Sequence, residues 1–153
     1  MKVIFLDVDG VLNYTGSPTK LPHGYPFIED DKILLLKRII DATNAKVVLS
    51  SDWRYGWINP DHEWRNDYIA LKRALNSFDI ELMDKTPMLE ETTHRGSEIL
   101  HWLCDWTGEF ITHFVILDDR TDMQPLKYAL VQTSMDTGLT EDDVNRAIKI
   151  LNT

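Results

Sequence analysis

Short aliphatic runs recur along this chain, each ending in polar residues and each followed by a segment with helical spacing. That alternation narrows the possible folds more than any other feature. VIFL at 3–6 is continuous, short and aliphatic, as a strand buried on both faces must be. KVVLSS at 46–51 and HFVILDD at 113–119 repeat the pattern of an apolar strand with a polar tip. Between them, DKILLLKRIIDAT (31–43) puts Ile33, Leu34, Leu36 and Ile40 at helical spacing. DHEWRNDYIALKRALNSF (61–78) does the same with Trp64, Tyr68, Leu71 and Leu75, and RGSEILHWLCDW (95–106) with Ile99, Leu100, Leu103 and Trp106. The remaining expectations are a strand around Ile80 to Leu82, a helix through Pro125 to Tyr128, a last strand near Ala129 to Gln132, and a helix over 140–151. In that last helix Thr140 and Asp143 have the spacing of an N-terminal capping pair. Buried strands alternating with helices imply right-handed crossovers. The expected fold is therefore an α/β, doubly wound (Rossmann-like) parallel sheet with helices on both faces.

A chain of 153 residues suits a single domain, 1–153, and no repeat or Gly/Ser linker divides it. No uncharged apolar run is long enough for a membrane span, and the start of the chain lacks the features of a secretory signal, so a cytoplasmic location and no membrane partner are expected. Cys104 is the only cysteine, which excludes an intrachain disulfide and any cysteine-paired zinc site; it reads as a small buried helix residue. The net charge of −9 repels polyanions at long range and argues against broad nucleic-acid binding, while leaving a local basic cleft open. No GxxxxGK[ST] sequence is present to form an ATP-binding loop.

Ligands of open parallel sheets bind beyond the carboxyl ends of the strands, near the point where strand order reverses. The polar tips are Asp7 and Asp9 after the first strand, Ser50 and Ser51 after the second, and Asp118 and Asp119 after the fourth, with Arg95 opening the helix before that strand. Any one of these acids could merely cap a turn. Four at two strand tips repel one another unless a cation compensates, and an all-oxygen ligand set suits Mg²⁺ better than zinc. With Arg95, the Ser50 hydroxyl and backbone N–H groups of the turn after the first strand, such a site fits a phosphoryl group. Arg54 could grip a second phosphate or a nucleic-acid backbone, or be a surface arginine. Trp53 and Trp57 could stack a base or close over a core.

DVDGV at the first tip, VVLS at the second, a basic residue at the start of a later helix and VILDD at the fourth, in that order, resemble the haloacid dehalogenase superfamily of phosphohydrolases. FLDVDGVLN, LSSDWR, RGSEILHWL, VILDD and VQTSMDTGLT look most like the phosphatase-like domain of "Swiss army knife" RNA-repair proteins. The resemblance covers nearly the whole chain and implies the strand order 5-4-1-2-3. It makes Asp7 the nucleophile that forms an aspartyl-phosphate and Asp9 the group that protonates the leaving alcohol and then deprotonates water. It implies that Mg²⁺ is held by the Asp7 carboxylate, the Asp9 main-chain carbonyl, Asp118 and Asp119, with Asp122 a lesser candidate. Ser50 binds the phosphoryl group, with Ser51 its rival. Arg95 stands where the family normally has lysine, and Lys85 is the fallback. Residues 14–30 and 83–94 are too short for a folded cap domain, which implies an open site suited to large substrates. The expected activity is Mg²⁺-dependent hydrolysis of phosphomonoesters, on nucleic-acid or nucleotide ends or alternatively on a small phosphorylated metabolite. A phospho-acceptor signalling domain or a silent binding module on the same fold are the rivals from other classes.

Overall fold

The computed structural model describes residues 1–153. Five strands, β1 (Lys2–Leu6), β2 (Lys46–Leu49), β3 (Leu82–Lys85), β4 (His113–Asp118) and β5 (Leu130–Gln132), form one parallel sheet in the order β3-β2-β1-β4-β5. Counted from the other edge, this is the expected 5-4-1-2-3. The helices are α1 (Asp30–Thr43), α2 (Tyr55–Ile58), α3 (Arg65–Asn76), α4 (Arg95–Asp105) and α5 (Glu141–Asn152). The chain winds outward from β1 to β2 and β3, then returns to the other side of β1 for β4 and β5. The strand order therefore reverses between β1 and β4, where a crevice opens beyond the strand tips.

Alternation along the central strand sends Ile4 and Leu6 to one face and Val3 and Phe5 to the other. The first pair joins a cluster of 25 buried residues supplied also by α1, α3 and α5; the second joins a smaller cluster of nine, with Ile99 and Trp102 of α4 and Met123. Both faces are thus covered, which is why β1 is apolar at every central position. Each fully buried aliphatic side chain of this kind contributes about 1.5–3 kcal/mol. At the start of α5, Thr140 Oγ1 accepts from the Asp143 N–H and Asp143 Oδ2 accepts from the Thr140 N–H, completing the expected capping pair.

Four expectations about local structure are corrected. β3 begins at Leu82, because the end of α3 is followed by a turn with Asp79 at φ +57° before the chain can extend. α3 begins at Arg65, after turns that occupy 59–64. The stretch at Pro125 to Tyr128 makes only a 3-10 turn, Lys127–Ala129, since β5 starts at the next residue and leaves no room for a helix. Cys104 is exposed, because Ile99 and Trp102 take the inward positions of α4 and Cys104 falls on its outer side.

Between β1 and α1 the chain adds only an isolated bridge, Lys20 to Pro26, and between β3 and α4 only turns; neither segment builds a cap over the strand tips. No helix is long and apolar enough to cross a membrane.

Candidate active site

The sheet register sets the site. Leu6 of β1 pairs with Leu49 of β2 and with Leu117 of β4, so one step further Asp7, Ser50 and Asp118 stand side by side at the carboxyl edge. Two backbone bonds continue past the strands and hold that level: the Asp7 N–H donates to the Leu117 carbonyl at 2.9 Å and the Ser50 N–H to the Leu6 carbonyl at 2.9 Å. Residues 111 positions apart are thereby fixed as neighbours by ladder geometry alone.

One carboxylate oxygen each from Asp7, Asp118 and Asp119 lies within 4.8 Å of the other two. Asp119 can approach because residue 10 is glycine. Gly10 has φ +78°, and a Cβ there would lie 2.9 Å from both Cβ and Cγ of Asp119. Arg95, the first residue of α4, is buried, with Nε 3.6 Å from Asp118 Oδ2 and a terminal nitrogen 3.4 Å from Asp52 Oδ1. Several buried polar atoms here have no hydrogen-bond partner within the protein: Asp118 Oδ2, the Arg95 Nε and one of its terminal nitrogens, and Ser50 Oγ. Groups of this kind are normally paired, so their collection at one edge marks a place built to receive a charged ligand.

Burial is the main cause pushing the Asp7 carboxyl well above the usual range; the neighbouring Asp118 charge adds to it and Arg95 opposes it. Asp118 is pushed up to about 6, again chiefly by burial and against the pull of Arg95. Burial works against the Arg95 charge, but Asp7 and Asp118 outweigh it and raise its pKa. Asp9 is also raised, by burial first, while hydrogen bonds from Asn13 and Trp53 to its carboxylate hold it down. The cluster thus carries mutually repelling acids that a cation would relieve.

The other candidates separate. Ser51 Oγ accepts from the Trp53 N–H at 3.3 Å and caps a 3-10 turn over Asp52–Arg54, whereas Ser50 Oγ is uncommitted. Arg54 is corrected outright: it is neither a surface residue nor free to grip a phosphate. It is fully buried, pairs with Glu98 at 2.7 Å, and donates to the carbonyls of Ser50, Ser51, Thr86 and Pro87. Asp122 is engaged elsewhere, accepting from the Arg95 N–H at the start of α4 and pairing with Arg120. Lys85 ends β3 with its ammonium 4.4 Å from the centre of the Trp57 ring, and Trp57 in turn stacks on Tyr68. Trp53 is fully buried, so its ring faces cannot stack a base. A cavity of about 600 Å³ is lined by Asn44, Lys46 and Glu81 at the amino ends of β2 and β3, the edge away from the acids.

Two features escaped the sequence reading. Asp52 faces Arg95, and nothing in its position after a serine pair announces that. Asn13 donates to Asp9; its placement four residues on, in the same turn, was a signal available in DVDGVLN.

A doubly wound parallel sheet with acids converging at its reversal point, beside a buried arginine and a free serine hydroxyl, has the layout expected of a haloacid dehalogenase (HAD) fold. The model of one family, the HAD domain in Swiss Army Knife RNA repair proteins, matches residues 3–144, and the chain belongs to that family. No curated protein matches it. The family brings with it phosphatase-type hydrolase chemistry and a general use of Mg²⁺.

Proposed function

We propose that this protein is a Mg²⁺-dependent phosphomonoesterase that works through an aspartyl-phosphate on Asp7. One observation carries the reading. Polar atoms of Ser50, Arg95 and Asp118 that make no hydrogen bond within the protein stand at the same edge as Asp7, combining a carboxylate nucleophile with donors for phosphoryl oxygens. The donor set also fits the metal: the clustered ligands are hard carboxylate oxygens with no imidazole or thiolate among them. Asp7, Asp118, Asp119 and the Asp9 main-chain carbonyl would hold it. Bound there, Mg²⁺ supplies positive charge against the phosphoryl oxygens and the clustered carboxylates.

The residues of the chain divide the work. A carboxylate oxygen of Asp7 forms a bond to phosphorus as the bond to the leaving oxygen breaks, and Asp9 delivers its proton to that oxygen. Water then attacks phosphorus, the bond to Asp7 breaks, and Asp9 takes up a proton from the water. Arg95 and Ser50 bind and orient the phosphoryl oxygens throughout. Burial raises the pKa of Asp9, which favours the protonated form that its first role needs.

The substrate proposed is a phosphorylated nucleic-acid or nucleotide end. The family description and the uncapped strand tips support it. The net charge of −9 favours the second reading, a small phosphorylated metabolite. An aryl phosphate tests the chemistry: turnover is expected only with Mg²⁺, and Asp7→Asn is expected to lower it by roughly 10⁴-fold or more. Metal-independent turnover, or survival of activity in Asp7→Asn, sinks the mechanism. A panel of 3′- and 5′-phosphorylated oligonucleotides, nucleotides and sugar phosphates then decides between the two substrates.

A further inference from the structure

Asp9 is gripped at both oxygens by donors from two separate segments. Asn13 Nδ2 donates to Oδ1 at 2.8 Å and Trp53 Nε1 donates to Oδ2 at 3.2 Å. Both donors are themselves fully buried and held. The Gly10 N–H donates to Asn13 Oδ1 at 2.9 Å, which fixes which way the amide faces, and Nδ2 makes a second bond to the Pro26 carbonyl at 3.2 Å. The Trp53 ring sits edge-on to Trp64, centroids 6.1 Å apart, and tilted over Phe27 at 6.3 Å. A tryptophan bonded to an aspartate is not in itself a sign of function, since Trp102 donates to Asp84 elsewhere in this molecule. At Asp84 the other oxygen accepts only from the backbone N–H of the next residue, Lys85; the distinction at Asp9 is a side-chain donor on each oxygen, both anchored, at a residue two places from the Asp7 nucleophile.

We propose that Trp53 and Asn13 are positioning residues that lock the plane of the Asp9 carboxyl for proton delivery to the leaving group; the proposal rests on the phosphatase reading above. The terminal torsion of an aspartate is otherwise broad. An indole N–H and an amide N–H only donate, so neither competes for a proton on Asp9, and each oxygen keeps a lone pair free to carry one. The proton that travels to the leaving oxygen as the phosphorus–oxygen bond breaks is therefore held in a set direction. Proton transfer of this kind depends on hydrogen-bond reach to the reacting oxygen, so a carboxyl free to turn loses much of the benefit.

Leaving groups separate this role from a structural one. An alkoxide departs poorly without a proton, whereas nitrophenolate departs readily without one. Trp53→Phe removes the indole donor and retains an aromatic ring; Asn13→Ala removes the amide donor to Asp9 without placing a second carboxyl beside it. For each variant, kcat/KM on an alkyl phosphate is expected to fall about 10²-fold, and on nitrophenyl phosphate by less than about tenfold. Thermal melting checks that each variant is folded, and if Trp53→Phe does not fold, Asn13→Ala decides. Equal losses on the two esters, or no loss on the alkyl ester, overturn the proposal alone. A wild-type protein with no Asp7-dependent turnover of either ester overturns the phosphatase reading along with it.

Discussion

Asp118 ends β4 with its side chain fully buried, one oxygen facing Arg95 Nε at 3.6 Å without a hydrogen bond, and its carboxyl pushed up to about 6. A folded-state pKa above the ordinary ~3.9 means that the native protein holds a proton the unfolded chain releases. The resulting stability is fully present below about pH 4 and is lost as pH rises through about 6. Without divalent metal, Asp118→Asn is expected to be more stable than wild type by about 1–3 kcal/mol at pH 8, with the gain roughly halved at pH 5. Urea unfolding at the two pH values measures this, and added Mg²⁺ should stabilise the wild type more than the variant. The acids of this site were legible because strand tips in a parallel sheet face a common edge. The neutral partners of Asp9 were not, since a side chain's reach across turns leaves no periodic mark in a sequence. Arg54 shows the same limit from the other side: its charge suggested a phosphate ligand, and only the carbonyls gathered around it reveal an internal role.

At the scale of elements, the start of α4 carries Arg95 into the site, and its seat is made by Gly96. A Cβ on that residue would lie 2.7 Å from the Met123 carbonyl carbon and 2.8 Å from its Cα, while the Gly96 N–H donates to the Asp122 carbonyl at 2.9 Å. The helix therefore docks directly against the backbone that follows β4. Gly96→Ala should destabilise the protein by about 1–3 kcal/mol although alanine is the better helix former, because the added methyl forces α4 away from that seat. Aryl phosphate kcat/KM should fall at least about tenfold as Arg95 shifts, and denaturant midpoints together with kinetics check both effects. Periodicity located α1, α4 and α5, and capping chemistry located the start of α5. It misplaced β3 and the stretch before β5, where a tight turn and a shortage of residues override local apolar content.

Across the whole molecule, the alternation of buried strands and helices was enough to specify sheet type and the edge bearing the chemistry. The unequal size of the two buried clusters was not, because it depends on which helices cross to which side. The buried Arg54 bears on how the molecule comes apart. Its guanidinium bonds to Thr86 at 3.1 Å and to Glu98 at 2.7 Å, joining the tip of β2 to the tip of β3 and to α4, and it is satisfied only when all three are in place. A contact that needs all three in place is expected to form after the folding transition state, so its loss should appear in the escape rate from the native state and leave the rate of refolding nearly unchanged. Arg54→Met strands Glu98 in the interior at a cost of about 3–5 kcal/mol, enough to speed unfolding by about 100-fold or more in stopped-flow denaturant jumps. An arginine that touches no substrate would then set the lifetime of the folded protein.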